Sequence, residues 1–257
     1  MIARLWRHRS LALTLTRRQY ELRYRQSLVG LVWAVAAPLA TLGVATLLFH
    51  KVLRVGTDGA PYSLFALSAL VPWGFFASSL TFGVQSITQG GVLVTRFAFP
   101  RAVLPLSMIG TAFIDLIISF GLFVAFVYLA GMRVPLSGLW ALPLLFLETV
   151  LVVAVVLLAS ALNVFARDVK LFVPIAVQLM LFVTPVMYSL ESVPESLRPW
   201  FKLNPMAGLV ESFRQVLVFG SAPDFSLLLP TILITVVVFG LAIWYFDAAE
   251  PRFADVI

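Results

Sequence analysis

Two acids, Asp115 and Glu148, stand in stretches of this chain that otherwise carry no charge. Carboxyls inside apolar runs are costly, and they mark a polar lining, a proton relay or a hydrogen-bonded clamp between helices. Little else here has the makings of catalysis. The three lysines, Lys51, Lys170 and Lys202, follow no glycine, so no G-x-x-x-x-G-K-[ST] loop exists to cradle nucleotide phosphates. Cysteine is absent, which excludes disulfides and thiolate metal sites, and His8 and His50 are too few for a histidine-based metal centre. Neither H-E-x-x-H nor G-x-S-x-G occurs. No catalytic residue is assigned, no metal site, and no ATP site.

What positions the two acids is a set of membrane spans. Of the 257 residues, 61% are hydrophobic and only 12% are charged, with a mean hydropathy of +1.02. That is too little polar surface to cover a soluble domain of this length, and long uncharged runs read as spans. Six runs qualify: 31–53, 62–86, 103–130, 139–163, 171–190 and 225–246. The net charge of +6 then belongs to cytoplasmic loops and is no nucleic-acid footprint. With the N-terminus inside, twelve basic residues fall inside. Six fall outside: Lys51, Arg54, Arg133, Arg198, Lys202 and Arg214. Both termini are expected in the cytoplasm. The first apolar run is long enough to span and its basic flank is long, unlike a cleaved signal peptide. Residues 9–27 are expected as a helix at the membrane surface; Leu11, Leu15 and Leu22 share one face, but a second apolar stripe predicts protein contact as well. The short connection GMRVPLSG makes spans three and four antiparallel neighbours, so Asp115 and Glu148 are expected at similar depth, with no basic residue in either span. The predicted fold is an all-α polytopic membrane protein, one domain over 1–257. It has a basic interface segment over 1–30, six spans, and short re-entrant or surface helices between spans five and six.

The motifs in chain order are LRYRQSLVGLVWAVAAPLA, LVPWGFFASSL, TRFAFPRAVLP, ALNVFARDVK and PIAVQLMLFVTPVMYSLESVPESLRPWFKLNPMAGLVESFRQVL. Together these resemble the permease subunits of ABC exporters for bacterial surface polysaccharides, the O-antigen and teichoic-acid exporters of the type-2 kind. The resemblance covers nearly the whole chain. It implies two copies of the permease, bound to two separate subunits that hold ATP and magnesium. It also implies a lipid-linked polysaccharide as cargo and a bacterial inner membrane as the location. A type-2 permease for a drug, lipid or other small hydrophobic cargo is the alternative. A membrane-embedded transferase using Asp115 and Glu148 is a third reading, against which the lack of any base or metal motif argues.

Three sets of residues carry the expected roles. Gly90-Gly91 breaks the chain before 92–99 and Pro100 and Pro105 restrict it afterwards, leaving a short helix between breakers. The resemblance places the ATPase coupling element here, with Arg96, Phe97, Phe99, Pro100 and Arg101, and Arg167-Asp168 as a second contact; an anchored loop is the plain alternative. In the long connection after span five, Asn204 can cap a helix, Pro205 fits its first position and Gly220 stops it. The resemblance makes this region, with Trp200, Phe201, Glu211 and Arg214, an outer gate rather than a surface helix. Finally, Tyr62, Phe65, Trp73 and Phe76 fall within about 80° of one helix circumference. Flat rings let a glycan slide, so this stripe is a candidate channel wall. Trp33 and Tyr188 extend it, and Asp115 and Glu148 give it polar points. Packing or an interfacial belt is the alternative for the aromatic residues.

Overall fold

A computed structural model of the protein describes residues 2–24, 32–57 and 59–256, without the side chains of residues 2 and 3. Residues 25–27, the end of the expected interface helix, and residue 31, the predicted first residue of span one, lie outside the described residues. Every regular element among the described residues is helical, as lipid demands of a chain that must satisfy its own backbone. The N-terminal pair is α1 (Ile2–Arg7) and α2 (Arg9–Tyr24). Next come α3 (Val32–Ala45), which continues as a π-helical turn over Thr46–Val52, and α4 (Tyr62–Gly83). Two short helices, α5 (Ser86–Gln89) and α6 (Gly91–Arg96), lead into α7 (Val103–Leu129). A 3₁₀ turn, Leu136–Trp140, opens α8 (Ala141–Phe165), and α9 (Val169–Val183) follows. The remainder is α10 (Arg198–Lys202), α11 (Pro205–Arg214) with a π turn over Gln215–Phe219, α12 (Phe225–Ala249) and α13 (Phe253–Val256).

Five stretches are long and apolar enough to cross a membrane: Val32–Val52, Tyr62–Gly83, Val103–Leu129, Leu136–Phe165 and Phe225–Val256. The predicted fifth span, 171–190, differs. Helix α9 stops at Val183 and is about 22 Å long at 1.5 Å per residue, short of a ~30 Å hydrocarbon core. The cause is local. Thr184 precedes Pro185, whose ring disfavours the helical region for the residue before it, and Thr184 is extended at φ −97°, ψ 134°. Hydropathy alone carried the prediction past this break. The short helix predicted over 92–99 is likewise trimmed to Gly91–Arg96, because Phe97 turns extended ahead of Pro100.

Helix α4 is the centre of the larger core, buried on most faces between α7, α8, α9 and α11. Its Gly83 lies so close to Val156 of α8 that a Cβ there would overlap the valine side chain. Helix α12 packs along α8. A second core at the other end of the bundle joins Leu15, Ile87, Val94, Val103, Leu157, Phe246 and Phe253. It therefore ties α2, α5, α6 and α13 to the ends of three long helices. Helix α2 packs along α7, where Gly110 lets Thr16 approach and Thr111 Oγ1 reaches the Thr16 carbonyl at 3.4 Å. By contrast α3 and α9 keep broad apolar faces uncovered, including Val44 and Leu47 on one and Leu171, Ile175 and Leu179 on the other.

Candidate functional site: an aromatic cleft with a polar end

Helices α3, α4 and α7 enclose a cleft of about 640 Å³. Pro38 and Thr41 line it from α3, Val71, Gly74 and Ser78 from α4, and Ala112, Leu116 and Ser119 from α7. Its polar end is built by α2. Arg23 Nη1 donates to Asp115 Oδ2 at 2.7 Å, and Tyr24 Oη donates to Asp115 Oδ1 at 2.8 Å. The Arg23 guanidinium stacks 4.0 Å from the Phe82 ring centroid, a cation–π contact at the same spot. Burial first, and then its hydrogen bond to Asp115, push the Tyr24 hydroxyl up to about 12, so it stays a neutral donor at ordinary pH.

This arrangement corrects the expectation for the two acids. Asp115 is neutralised from outside its own span, by an arginine at the end of the N-terminal helix. Glu148 of α8 is wholly buried, and neither of its carboxyl oxygens has a hydrogen-bond partner among the described residues. Asp115 borders the cleft and Glu148 does not. The clamp expected between spans three and four joins α2 and α7 instead. The order of the sequence held a clue, since Arg23 is one of the last two basic residues ahead of the first apolar run.

Of the aromatic stripe, Trp73 borders the cleft although only 6% exposed, and Trp33, expected to extend the stripe, lines it at 57% exposed. Tyr62, Phe65 and Phe76 are packed inside the chain. Phe75 and Phe82, which helical phase puts off the stripe, border the cleft as well.

At the opposite end of α4, Arg214 is fully buried. It pairs with Glu211 at 2.5 Å, donates to the carbonyls of Pro185 at 2.8 Å and Val186 at 3.2 Å, and stacks 3.8 Å from the Phe65 ring centroid. Tyr62 Oη donates to the Met187 carbonyl at 3.1 Å. Asn204 caps α11, accepting the Met206 N–H at 3.1 Å, and donates to Thr184 Oγ1 at 2.9 Å. Tyr188 Oη donates to the Phe182 carbonyl at 2.8 Å. These bonds fasten the turn after α9 to α4 and α11. Pro205 takes the first helical position, and Gly220 ends the π turn at φ 71°, the left-handed conformation that glycine accepts. Trp200 is exposed and Phe201 half-buried.

At the end where α5 and α6 lie, Arg96 and Phe97 are exposed, Phe99 and Arg101 are half-buried and Pro100 is buried. Arg167 and Asp168 are exposed in the turn between α8 and α9. Asn163 joins that turn to α5: its Nδ2 donates to Thr88 Oγ1 at 3.2 Å, and its Oδ1 accepts the Lys170 N–H at 3.0 Å.

The ABC-2 type transporter family model matches residues 10–218. Two O-antigen export system permease proteins, RfbA of Klebsiella pneumoniae, are each 31% identical over 250 residues, covering 96% of this chain and 95% of theirs. The protein of the same description from Myxococcus xanthus is 28% identical over 263 residues, covering 100% of this chain and 99% of its own.

Proposed function

Since this chain belongs to the ABC-2 type transporter family, we propose that it is the membrane-embedded permease of an exporter carrying a lipid-linked surface polysaccharide of the O-antigen type. The observation that carries the cargo is the end-to-end match to three relatives described as O-antigen export permeases. The cleft adds a physical reason: exposed Trp33 offers a flat face to sugar rings, Trp73 forms part of the wall, and the Arg23–Asp115–Tyr24 cluster gives one polar end. Energy comes from a separate ATPase subunit, which binds ATP and magnesium and pushes on residues 96–101 and on Arg167-Asp168. Two copies of this chain work with two ATPase subunits in the bacterial inner membrane, with both termini in the cytoplasm. The uncovered apolar faces of α3 and α9 favour this pairing, because α9 is too short to stand alone in lipid. In this reading α9 and the turn fastened to it make the fifth of six crossings. The Arg214 network then sits at the outer mouth, where α10 and α11 act as the gate.

Export of glycan by cells expressing the permease with its ATPase tests the proposal. Trp73→Ala is expected to cut export severalfold with normal expression, and Trp73→Phe to be milder, because a ring face remains. Phe97→Ala, on an exposed side chain, is expected to leave the protein folded and to uncouple export from ATP hydrolysis. Unchanged export in Trp73→Ala, with a cysteine at 73 protected from water-soluble thiol reagents, would show that the cleft is not the path. A wild-type complex that moves a hydrophobic dye but no glycan would favour the small-molecule cargo, which the mainly apolar cleft wall also suits.

A further inference from the structure

Glu250 stands where physical chemistry disfavours it. It follows the last residue of α12, at the negative end of a 25-residue helix, and is only 5% exposed. Its partners explain the placement. Glu250 Oε1 accepts the backbone N–H of Arg101 at 2.7 Å, immediately before the first turn of α7. That helix has no side-chain cap of its own: Ala102 occupies the cap position. The carboxylate therefore lies at the positive end of α7, among amides that need an acceptor. On its other side Glu250 Oε2 meets Arg4 of α1 at 3.5 Å, and Arg4 also pairs with Asp247 at 3.1 Å. Nearby, Phe253 of α13 packs against α6 and between Phe246 and Phe165. One acid thus joins the start of α7, the end of α12 and the N-terminal helix. The loop 97–100, with exposed Phe97, runs directly into this junction.

We propose that Glu250 is a positioning residue for transport, clamping α1, α7 and α12 into one body behind the loop 97–100. A push on the loop then moves α7 as a unit, and through α1 and α2 it reaches Arg23 and Asp115 at the cleft. Without the clamp the loop bends and the motion stops there. The inference rests on the permease reading, and it adds a residue from the far end of the chain to the coupling element.

The test uses two readouts on the wild type and on Glu250→Ala, Glu250→Gln and Arg4→Ala. The first is amide hydrogen exchange at residues 101–104 in the purified chain, which needs no ATPase. The second is glycan exported per ATP hydrolysed by the whole complex. Glu250→Ala is expected to speed exchange at Arg101 by about tenfold, the scale of a lost hydrogen bond to a charged group. It should lower export per ATP by about fivefold while hydrolysis continues. Glu250→Gln keeps an acceptor for the Arg101 N–H and should restore most of both. Arg4→Ala, at an exposed side chain, should leave exchange at 101 unchanged and lower export per ATP by about twofold. Wild-type export per ATP in Glu250→Ala overturns the proposal. So does a proportional fall of export and hydrolysis, which would mean only less folded complex. If Glu250→Ala does not accumulate, unchanged export per ATP in both other variants overturns it equally. A wild-type complex that exports no glycan would instead refute the permease reading, and the exchange measurement would still decide whether the clamp exists.

Discussion

Asp115 and Arg23 are each about one-fifth exposed, so their ion pair falls between the surface and buried cases. Removing the charge by Asp115→Asn should cost about 1–2 kcal/mol, between the ~0–1 of exposed pairs and the ~3–5 of broken buried ones. A lowered thermal midpoint of the purified protein in detergent checks this, and an unchanged midpoint would show that the pair contributes nothing. Tyr24→Phe should cost about 1 kcal/mol. Because the native hydroxyl titrates above its ordinary value of 10.0, the stabilisation is complete below pH 10 and fades as the pH rises towards about 12. The cost of Tyr24→Phe should therefore be the same in neutral and mildly alkaline buffer. Glu148 contrasts with both. Its oxygens have no hydrogen-bond partner to lose among the described residues, so Glu148→Gln breaks no hydrogen bond. Arg214→Met strands the Glu211 carboxylate and two carbonyls, and should cost about 3 kcal/mol or more.

Among the elements, α11 depends on a close approach to α12. A Cβ on Gly208 would lie 2.7 Å from the Leu227 carbonyl oxygen and closer still to Thr231 Oγ1. Backbone cannot give way as a flexible side chain does, so Gly208→Ala should force α11 away from α12 and strain the Arg214 network. The expected outcome is reduced export and faster proteolysis between α9 and α12, with α1 to α8 unaffected. Wild-type protease resistance would contradict this packing. The same segment illustrates what was readable locally. Asn204, Pro205 and Gly220 mark the ends of this helical stretch by residue type alone, and they occupy the cap, first position and stop that their chemistry suits. Pro185 carried an equally local signal for the end of α9, but averaging over an apolar run hid it.

For the molecule as a whole, the proposed six crossings with both termini in the cytoplasm make a simple labelling prediction. The chain has no cysteine, so single cysteines report without background. Cysteines placed at 56 and 222 should react with an impermeant thiol reagent on intact cells, while those at 97 and 168 should react only after the membrane is opened. Reaction of 168 and 222 from the same side would remove the crossing assigned to α9, and with it the six-span topology.

The sequence by itself located the five stretches long and apolar enough to cross a membrane and several helix ends, though not the end of α9, since hydropathy, Pro and Gly act over a few neighbouring residues. It also singled out Asp115, Arg214 and the loop around Arg101 as places worth attention. Their partners were decided only in three dimensions. Arg23 and Asp115 are 92 residues apart, and Glu250 and Arg101 are 149 apart. The aromatic stripe shows the same limit. Helical phase puts Tyr62, Phe65, Trp73 and Phe76 on neighbouring faces of one helix, but phase does not say which face meets protein. That depends on how α4 is rotated between α7, α8, α9 and α11, and the rotation buries all four rings, with Trp73 alone of them bordering the cleft. Periodicity describes one helix about its own axis; which side chains meet is settled by the rotation and slide of several helices against one another, through close approaches such as Gly83 on Val156 and Gly110 on Thr16.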